Sequence, residues 1–350
     1  MRILLIGKGA PSHLGGIYHR ALLSLGYDVR FVDEAAAFGW WDGQAWSSFL
    51  QRMRGHLPSR VTPFNHIVLD AARQYHPDII LSVQGSYLTP ETLGELKRSS
   101  HALLVNYSTD NPFNPAASTR YVRSSLPLWD VYVTPRAHTL GDLKQHCNGL
   151  LLYLPFGYDP ECHFPEQKIS KEEADRFASE LVFIGTCDYD RVKTLRFLAT
   201  QDLSVRLYGG GRRYRLIRAL RRRHGGLVMG RDYRLALNCS KIVLSLNRMA
   251  NRDTHVMRTF EVPACGSFML AERGEEQCAM FAEDREAVFF SSTEELWDKV
   301  RYYLAHDDLR HKIAQAGFDR VTSGRNTYRD RLSVLMEQIV GKRRSPAGGP

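Results

Sequence analysis

The 350-residue sequence lacks the features that mark disulfide-rich, zinc-binding and membrane-spanning proteins. Its six cysteines are scattered without a C-x-x-C pair, which argues against a structural zinc site and a disulfide framework and favours a reducing compartment. No apolar run approaches the roughly 18 residues that span a bilayer. The first residues, MRILLIGKG, lack an apolar signal-peptide core and a small-residue cleavage site, so they predict a strand. We therefore expect a cytoplasmic protein.

Three common catalytic motifs are also missing. In the loop 7–16, Gly7 and Gly9 are followed by Ser12 where the dinucleotide-binding pattern G-x-G-x-x-G needs a third glycine. No G-K-[ST] sequence marks a P-loop, and no G-x-S-x-G elbow marks a hydrolase nucleophile. These absences argue against NAD-dependent enzymes, P-loop kinases or ATPases, and hydrolases with a serine elbow.

Positive charge is concentrated in one segment. The formal net charge is +9, and seven arginines lie between Arg212 and Arg223. Such an excess fits an anionic partner: lipid headgroups, an acidic substrate or nucleic acid. One interpretation is a solvated surface helix whose apolar residues Leu216, Ile217 and Leu220 face the core, and another is an interfacial helix at an anionic membrane. Nucleic acid is disfavoured, because the sequence has no zinc-finger spacing and no aromatic RNP-type strand.

Short apolar runs alternate with helical stretches along the chain. Continuous apolar strands separated by helices predict a parallel sheet covered on both faces, the doubly wound α/β pattern. The predicted strands cover residues 2–7, 28–33, 77–83, 102–108 and 130–135 in the first half, and 180–185, 205–209, 241–246, 267–271 and 287–291 in the second. We therefore predict two Rossmann-like domains that face each other across a ligand cleft.

The segment 151–165, LLYLPFGYDPECHFP, separates the two halves. Its three prolines and one glycine break the periodicity and indicate a linker. The sequence thus predicts one domain over 1–160 and a second over 161–325. A last helix over 326–340 has no strand after it and is expected to return to the first domain. The Pro/Gly-rich tail 341–350 is expected to be disordered.

The segment IGTCDYDR, 184–191, has the layout of a phosphate-binding loop. A strand is followed by Gly185, the small Thr186 and a helix that carries Arg191. Glycine lets the backbone approach a phosphate, and neighbouring N–H groups supply donors. A simple strand-to-helix turn is the equally weighted alternative.

The segment DTHVMRTFEVPACGSFMLAE, 253–272, places a carboxylate in an apolar stretch. Asp253 and Glu261 are eight residues apart. If a helix begins near His255, its first turn offers free N–H groups to an anion, and Glu261 lies about two turns in, where it can accept a vicinal diol. The predicted donors are the amides of Val256, Met257 and Arg258. Alternatively, Glu261 is a surface residue or pairs with Arg258 within the helix.

These motifs resemble a known family. The D-x7-E spacing from Asp253 to Glu261, followed by Val-Pro-Ala-Cys-Gly, resembles the E-x7-E signature of retaining group-1 glycosyltransferases of the GT-B fold. RTFEVPACGSFMLAE and the sequence after it look most like the spore-maturation CgeB-type branch. GGIYHRALLSLGYDVRFVD resembles the first-domain Gly-Gly loop, and ELVFIGTCDYDR resembles the second-domain entry.

The resemblance implies a nucleoside-diphosphate-sugar donor held by the second domain and an acceptor held by the first. By this resemblance Glu261 binds the donor ribose, and the amides near Val256 and Met257 bind the diphosphate. Basic side chains offset the leaving-group charge, for which the candidates are Arg191, Arg248 and Arg252. Neither a metal nor another cofactor is implied, because arginines and a helix N-terminus take the role of a cation.

The sequence departs from the family pattern at two places. The first acidic position is Asp253, one methylene shorter than Glu, so its contact with the transferred sugar is open. Many relatives carry a His near NYSTDNP, 106–112, where this chain has Asp110, which serves either as an orienting group or base or as a turn residue. His13, in the loop before Gly15 and Gly16, is a further catalytic candidate on the acceptor side.

The sequence therefore predicts a metal-independent, retaining glycosyltransferase that uses a UDP, GDP or dTDP sugar. Its acceptor is an unidentified glycan, lipid, peptide or small molecule, and Arg212–Arg223 provides peripheral contact with the inner membrane face. Two alternatives stay open. One is a nucleotide-sugar epimerase of the same fold, and the other is a non-enzymatic binder of anionic membrane or nucleic acid.

Overall fold

The computed structural model describes residues 1–38, 60–85, 87–115 and 118–344. The chain divides into two compact units, Met1–Pro155 with Tyr328–Pro350, and Phe156–Thr327. Each unit is built on one sheet in which every strand pair is parallel. The predicted α/β class with two Rossmann-like domains is confirmed.

The first unit holds a six-stranded sheet. Its strands are β1 (Arg2–Gly7), β2 (Asp28–Asp33), β3 (Ile79–Val83), β4 (Leu103–Tyr107), β5 (Val131–Thr134) and β6 (Leu150–Tyr153). They pair in the order β2-β1-β3-β4-β5-β6. The described helices of this part are α1 (Leu14–Ser24), α2 (Glu34–Phe38), α3 (Val61–Tyr75), α4 (Pro90–Ser99), α5 (Arg120–Ser125) and α6 (Thr139–Leu143), with a 3₁₀ helix at Leu126–Leu128.

The interior strand β1 has a continuous apolar run after Arg2 because both of its faces are covered. Ile3 to Ile6 are fully buried. Leu4 and Ile6 belong to one apolar cluster with Phe64 and Val68 of α3, and the intervening residues point to the opposite face. Burial on both sides explains why the strand reads as a continuous apolar run rather than an alternating one.

The second unit repeats this plan with five strands. They are β7 (Ser179–Ile184), β8 (Val205–Tyr208), β9 (Ser240–Ser245), β10 (Met269–Glu272) and β11 (Val288–Phe290), in the order β11-β10-β9-β7-β8. The helices are α7 (Lys171–Phe177), α8 (Tyr189–Ala199), α9 (Arg212–Leu216), α10 (Arg218–Arg223), α11 (Arg231–Asn238), α12 (Arg258–Ala264), α13 (Glu275–Met280), α14 (Thr293–Leu304) and α15 (Asp307–Thr322), with a 3₁₀ helix at Met249–Asn251.

The last helix, α16 (Tyr328–Arg344), returns to the first unit. The rings of Tyr328 and Tyr18 of α1 lie 5.7 Å apart, and Leu332, Leu335 and Met336 are buried. Residues 341–344, expected to be disordered, continue this helix, whereas residues 345–350 lie outside the described part of the chain.

Two other expectations need correction. Residues 151–153, taken as the start of the linker, belong to β6 (Leu150–Tyr153), because LLLY is itself a short apolar run and only the prolines after it break the pattern. The expected arginine-rich helix is split into α9 and α10, since Ile217 has an extended backbone with φ −97° and ψ 115°. No helix among the described residues is long and apolar enough to cross a membrane.

Each sheet has one point at which the strand order reverses. In the first sheet it lies between β1 and β3, and in the second between β7 and β9. Loops that leave neighbouring strands in opposite directions open a crevice at the carboxyl ends of those strands, where ligands of open α/β sheets bind. The candidate residues 13–16 follow β1, and the candidates 185–191 and 248–261 follow β7 and β9.

Candidate functional site

The loop after β7 has a fixed base at Gly185 and an exposed tip at Thr186. The N–H of Gly185 donates to the Tyr208 carbonyl at 2.8 Å, and the buried Tyr214 hydroxyl donates to the Gly185 carbonyl at 2.9 Å. Gly209, whose φ is +124°, approaches so closely that a Cβ on it would lie 2.2 Å from the Gly185 oxygen. Thr186 at the tip is exposed. The backbone at the tip is thus accessible while its base is rigid.

Arg191, predicted to face the diphosphate, braces the site from within. It is 7% exposed, and its guanidinium donates to the carbonyls of Asn247 at 3.2 Å, Thr186 at 3.2 Å and Leu246 at 2.7 Å. Burial lowers the pKa of this guanidinium, and the neighbouring charge of Arg258 lowers it further. Arg191 therefore joins the loops after β7 and β9 and holds positive charge beneath them.

Arg248 and Asp253 belong to one braced turn after β9. Asp188, which caps α8 by accepting from the Arg191 amide, also accepts from Arg248 Nε at 3.1 Å. The Arg248 N–H donates to Asp253 Oδ2 at 3.3 Å, and the Asp253 N–H donates back to the Arg248 carbonyl at 3.2 Å. Arg252 between them is exposed and has a left-handed φ of 54°. Asp253 thus shapes the turn that carries the two arginines.

The helix after this turn starts later than predicted. α12 begins at Arg258 with Met257 as its N-cap. Val256 does not offer a free amide, because its N–H donates to the Thr259 hydroxyl at 3.1 Å. Arg258 Nη2 lies 3.5 Å from the position that a Cβ on Gly185 would occupy, and its buried Nε has no hydrogen-bond partner in the described part of the chain. The Arg258 side chain, rather than the Val256 amide, is therefore the donor group that lies beside the Gly185 loop.

Glu261 is a buried carboxylate with defined partners. It is 8% exposed. Its Oε2 accepts from the Tyr233 hydroxyl at 2.7 Å, and its Oε1 lies 3.7 Å from His163 Nε2. His163 Nδ1 accepts from the Asp159 N–H at 3.1 Å, so Nε2 carries the ring proton and directs it at Glu261. The two alternatives were a surface position and a pair with Arg258. Glu261 is buried, and its ion contact among the described residues is with His163 instead.

Two polar groups in this region escaped the sequence reasoning. His255 is fully buried; its Nε2 accepts from the Phe156 N–H at 3.3 Å, and its Nδ1 donates to Glu276 at 2.7 Å. Glu272, at the end of β10, accepts from the Asn247 N–H at 2.9 Å, and burial raises the pKa of its carboxyl. The signal for Glu272 was an acidic residue closing an apolar strand; His255 carried no local signal, because its partners are distant in sequence.

In the first unit, Gly15 and Gly16 are required by close backbone contact. A Cβ on Gly15 would lie 2.6 Å from the Lys8 carbonyl oxygen, and one on Gly16 would lie 2.5 Å from that of Ala10. The Gly16 N–H donates to the Lys8 carbonyl at 3.1 Å. The two glycines therefore let α1 start directly against the loop that leaves β1.

His13 lies at the N-cap of α1 among charged groups. Burial lowers the pKa of His13, Lys8 lowers it further and Asp33 opposes both, so the ring is neutral at neutral pH. Its buried Nδ1 has no hydrogen-bond partner within the described residues. Nearby Glu34 is 3% exposed, and burial raises its pKa to about 7 against the influence of Lys8. The carboxyl ends of β1 and β2 thus hold an imidazole with a lowered pKa and a carboxyl with a raised pKa.

Asp110 follows β4 and is hydrogen-bonded to Gln84, which lies in the loop after the neighbouring strand β3. Its Oδ2 accepts from Gln84 Nε2 at 2.8 Å, and Gln84 has a positive φ of 83°, a costly backbone conformation for a non-glycine residue. The adjacent Thr109 carbonyl accepts from the buried Arg136 at 2.7 Å. Asp110 is thus an oriented carboxylate rather than only a turn residue.

The described residues contain no group of three His, Cys, Asp or Glu side chains placed to hold a metal ion. The polar groups that the strand order gathers at the carboxyl edge of the second sheet are instead three arginines, three carboxylates and exposed loop backbone; the side chains are Arg191, Arg248, Arg258, Asp188, Asp253 and Glu272. Arg191 and Arg248 are engaged by carbonyls and by Asp188, so the Arg258 guanidinium and the exposed loop backbone are the groups here that suit an anion.

Comparison with protein families matches one stretch of the chain, most of it in the second unit. Residues 191–337 match the family model described as glycosyl transferase-like. This stretch contains Arg248, Asp253, Arg258 and Glu261. Comparison with curated protein sequences gave no match.

Solved structures similar to the chain share its fold over nearly the whole length. Sucrose-phosphate synthase from Thermosynechococcus elongatus has 12% identity and a TM-score of 0.70, covering 99% of this chain and 100% of that one. HepE from Anabaena, solved with UDP and glucose, has 14% identity and a TM-score of 0.65 over 97% and 100%. OtsA has 12% identity and a TM-score of 0.64 over 97% and 99%. The chain therefore has the GT-B fold of two Rossmann-like domains.

Proposed function

We propose that this protein is a glycosyltransferase that moves a sugar from a nucleoside-diphosphate donor to an acceptor hydroxyl or amine. The match of residues 191–337 to the glycosyl transferase-like family carries the proposal. The GT-B fold supports it, and so do the similar HepE structures, which were solved with UDP and with UDP-glucose. The CgeB-type branch stays a prediction.

The donor lies on the second unit in this proposal. Glu261 accepts the ribose hydroxyls, and Tyr233 and His163 orient its carboxylate. Arg258 and Arg248 approach the diphosphate, and Arg191 adds positive charge from beneath. Guanidinium groups stabilise the departing diphosphate most strongly when charge builds up in the transition state. On this basis we propose that the transfer needs no metal ion.

The remaining candidates contribute to sugar and acceptor. Asp253 lies in the turn that carries Arg248, which suits contact with the transferred sugar. On the first unit, the neutral His13 and the oriented Asp110 are the groups able to hold or accept an acceptor proton. We propose a retaining outcome from the resemblance of the D-x7-E segment to retaining enzymes, and proton NMR of the product anomer tests it.

Calorimetric titration with UDP, GDP, dTDP and CDP tests the donor site. We expect one nucleotide to bind, and we expect Glu261→Gln to weaken it about 10-fold to 100-fold, because hydrogen bonds to a charged acceptor contribute about 1.5–3 kcal/mol. Glu172→Gln removes an exposed carboxylate of α7 and serves as the control with unchanged affinity. Absence of binding by all four nucleotides would overturn the proposal.

Turnover separates the transferase from an epimerase of the same fold. A transferase releases free nucleoside diphosphate from the bound sugar nucleotide only when an acceptor is added. An epimerase converts the sugar without acceptor and leaves the diphosphate attached. Chromatography of the nucleotide products with and without an acceptor mixture distinguishes the two reactions.

A further inference from the structure

One surface of the second unit has exposed side chains that the proposed reaction does not use. It is formed by residues 212–230, comprising α9, α10 and the loop after them, and is called here the arginine segment. The segment borders the edge strand β8: the Gly209 N–H donates to the Gly226 carbonyl at 2.8 Å, and the Gly225 N–H donates to the Leu207 carbonyl at 2.9 Å. Leu220 is buried in the apolar core beneath it. The segment is therefore attached to the sheet along its length.

Its positive charge is not neutralised by the rest of the described chain. The sequence of the segment has seven arginines and neither Asp nor Glu. Five of the arginines are exposed; these are Arg212, Arg215, Arg218, Arg221 and Arg222. None of the seven forms an ion pair with a described carboxylate, so the charge of the five exposed arginines faces solvent or an external anion.

The segment also exposes apolar side chains that a solvated arginine surface does not need. Leu216 is 73% exposed, Leu227 is 75% exposed and Met229 is 49% exposed. Leu216 was one of three residues expected to face the core, and of these only Leu220 is fully buried. Because the core already takes Tyr214 and Leu220, the outward leucines and methionine remain free to enter another apolar phase.

We propose that the arginine segment docks the protein on an anionic lipid surface. Arginines bind headgroup phosphates, and exposed leucines among them enter the boundary with the acyl chains, which is the pattern of an interfacial binder. Nucleic acid fits less well, because single-stranded binding uses rings on which bases stack. The two rings of the segment, Tyr214 and His224, instead stack on each other with centroids 4.3 Å apart.

Flotation with vesicles tests the proposal. The full-length protein should bind vesicles of phosphatidylglycerol mixed with phosphatidylcholine and not vesicles of pure phosphatidylcholine. The triple variant Arg215→Glu, Arg218→Glu, Arg222→Glu should bind at least on the order of one hundredfold more weakly, since each arginine near an anionic surface contributes about fivefold. Far-ultraviolet circular dichroism during urea unfolding verifies that this variant is folded.

The matched control places the same change of charge elsewhere. Arg98→Glu, Arg285→Glu and Arg325→Glu replace three other exposed arginines, and this variant should keep most vesicle binding. A second variant, Leu216→Ser with Leu227→Ser, should lose the part of the binding that persists at high salt, because screening weakens only the charged contacts.

Three results would overturn the proposal. The first is equal loss of vesicle binding in the triple variant and its control, which would assign the effect to overall charge. The second is unchanged binding in the leucine variant at high salt. The third is salt-dependent binding to DNA or RNA with no binding to anionic vesicles, which would make nucleic acid the partner. None of these outcomes depends on sugar transfer, so this test and the nucleotide titration can fail independently.

Discussion

Replacing Arg191 with methionine separates its bracing role from a direct role in ligand binding. Methionine keeps a long flexible side chain and removes the guanidinium that donates to three carbonyls. The carbonyls of Leu246 and Asn247 are reached in buried surroundings, whereas the bond to Thr186 is partly exposed and water can replace it. Two buried carbonyls therefore lose their donor.

The expected cost follows from those two carbonyls. Leaving a buried acceptor unsatisfied costs about 1–3 kcal/mol, which gives about 2–6 kcal/mol for the pair. Methionine avoids the desolvation of a buried charge, which offsets part of this. We expect Arg191→Met to lower the free energy of unfolding of the second unit by about 3 kcal/mol.

Native-state hydrogen exchange is the suitable assay, because it reports the stability of each unit separately. Peptides from β7 and β9 should exchange faster in Arg191→Met, while peptides from β1 should not change. Arg196→Met changes an exposed arginine of the same helix and should stay within about 0.5 kcal/mol of wild type. If Arg191→Met abolished nucleotide binding with unchanged exchange in β7 and β9, Arg191 would be a ligand-binding residue and the bracing role would be refuted.

Three further outcomes follow from the geometry. Gly16→Ala should destabilise the first unit by about 1–3 kcal/mol, because its Cβ would lie 2.5 Å from the Ala10 carbonyl oxygen. Gly141→Ala is the control and should not destabilise the unit, because a Cβ there meets nothing within 4 Å. Equal effects of the two substitutions in urea unfolding would contradict this account. Burial raises the Glu34 pKa from 4.5 to about 7, so between these pH values the folded state binds a proton that the unfolded state has lost. The free energy of unfolding therefore falls as the pH rises through about 7, by on the order of 3 kcal/mol in total. Glu34→Gln should flatten that fall, and an unchanged pH profile in urea unfolding would refute it. Tyr214→Phe removes the hydroxyl that donates to the Gly185 carbonyl and should lower the free energy of unfolding by about 1 kcal/mol. It should also weaken nucleotide binding in calorimetry. Unaltered affinity would show that this hydrogen bond does not shape the loop.

The sequence predicted the strands well because buried parallel strands are continuous apolar runs. The errors came where an apolar run lies next to a proline-rich linker and where a helical segment is interrupted. Residues 151–153, just before the prolines, were assigned to the linker although they belong to β6. The arginine-rich segment was predicted as one helix because its composition is helical, and nothing in that composition indicates the extended backbone of Ile217.

The site was predictable only as far as local patterns reach. The Gly185 loop and the segment that carries Glu261 follow from strand ends and spacing. The Tyr233 hydroxyl that orients Glu261 is 28 residues away in sequence, so no local pattern indicates it. Arg191 shows the complementary difficulty, since an arginine that braces buried carbonyls and one that awaits an anion look identical in the sequence. Which arginines lie together depends on the order of the strands in the folded sheet.

The interrupted path of the first unit has a consequence for biosynthesis. Its sheet is complete in sequence by Tyr153, but α16, which packs on α1, is translated only after the whole of Phe156–Thr327. The second unit begins and ends side by side, since the Tyr158 N–H donates to the Asn326 carbonyl at 3.1 Å. On the ribosome the second unit can therefore close first, as a continuous chain, while the earlier-made sheet waits for its last helix. A released chain that ends at Thr327, before α16, should hold a protease-resistant second unit and a first unit still open to cleavage.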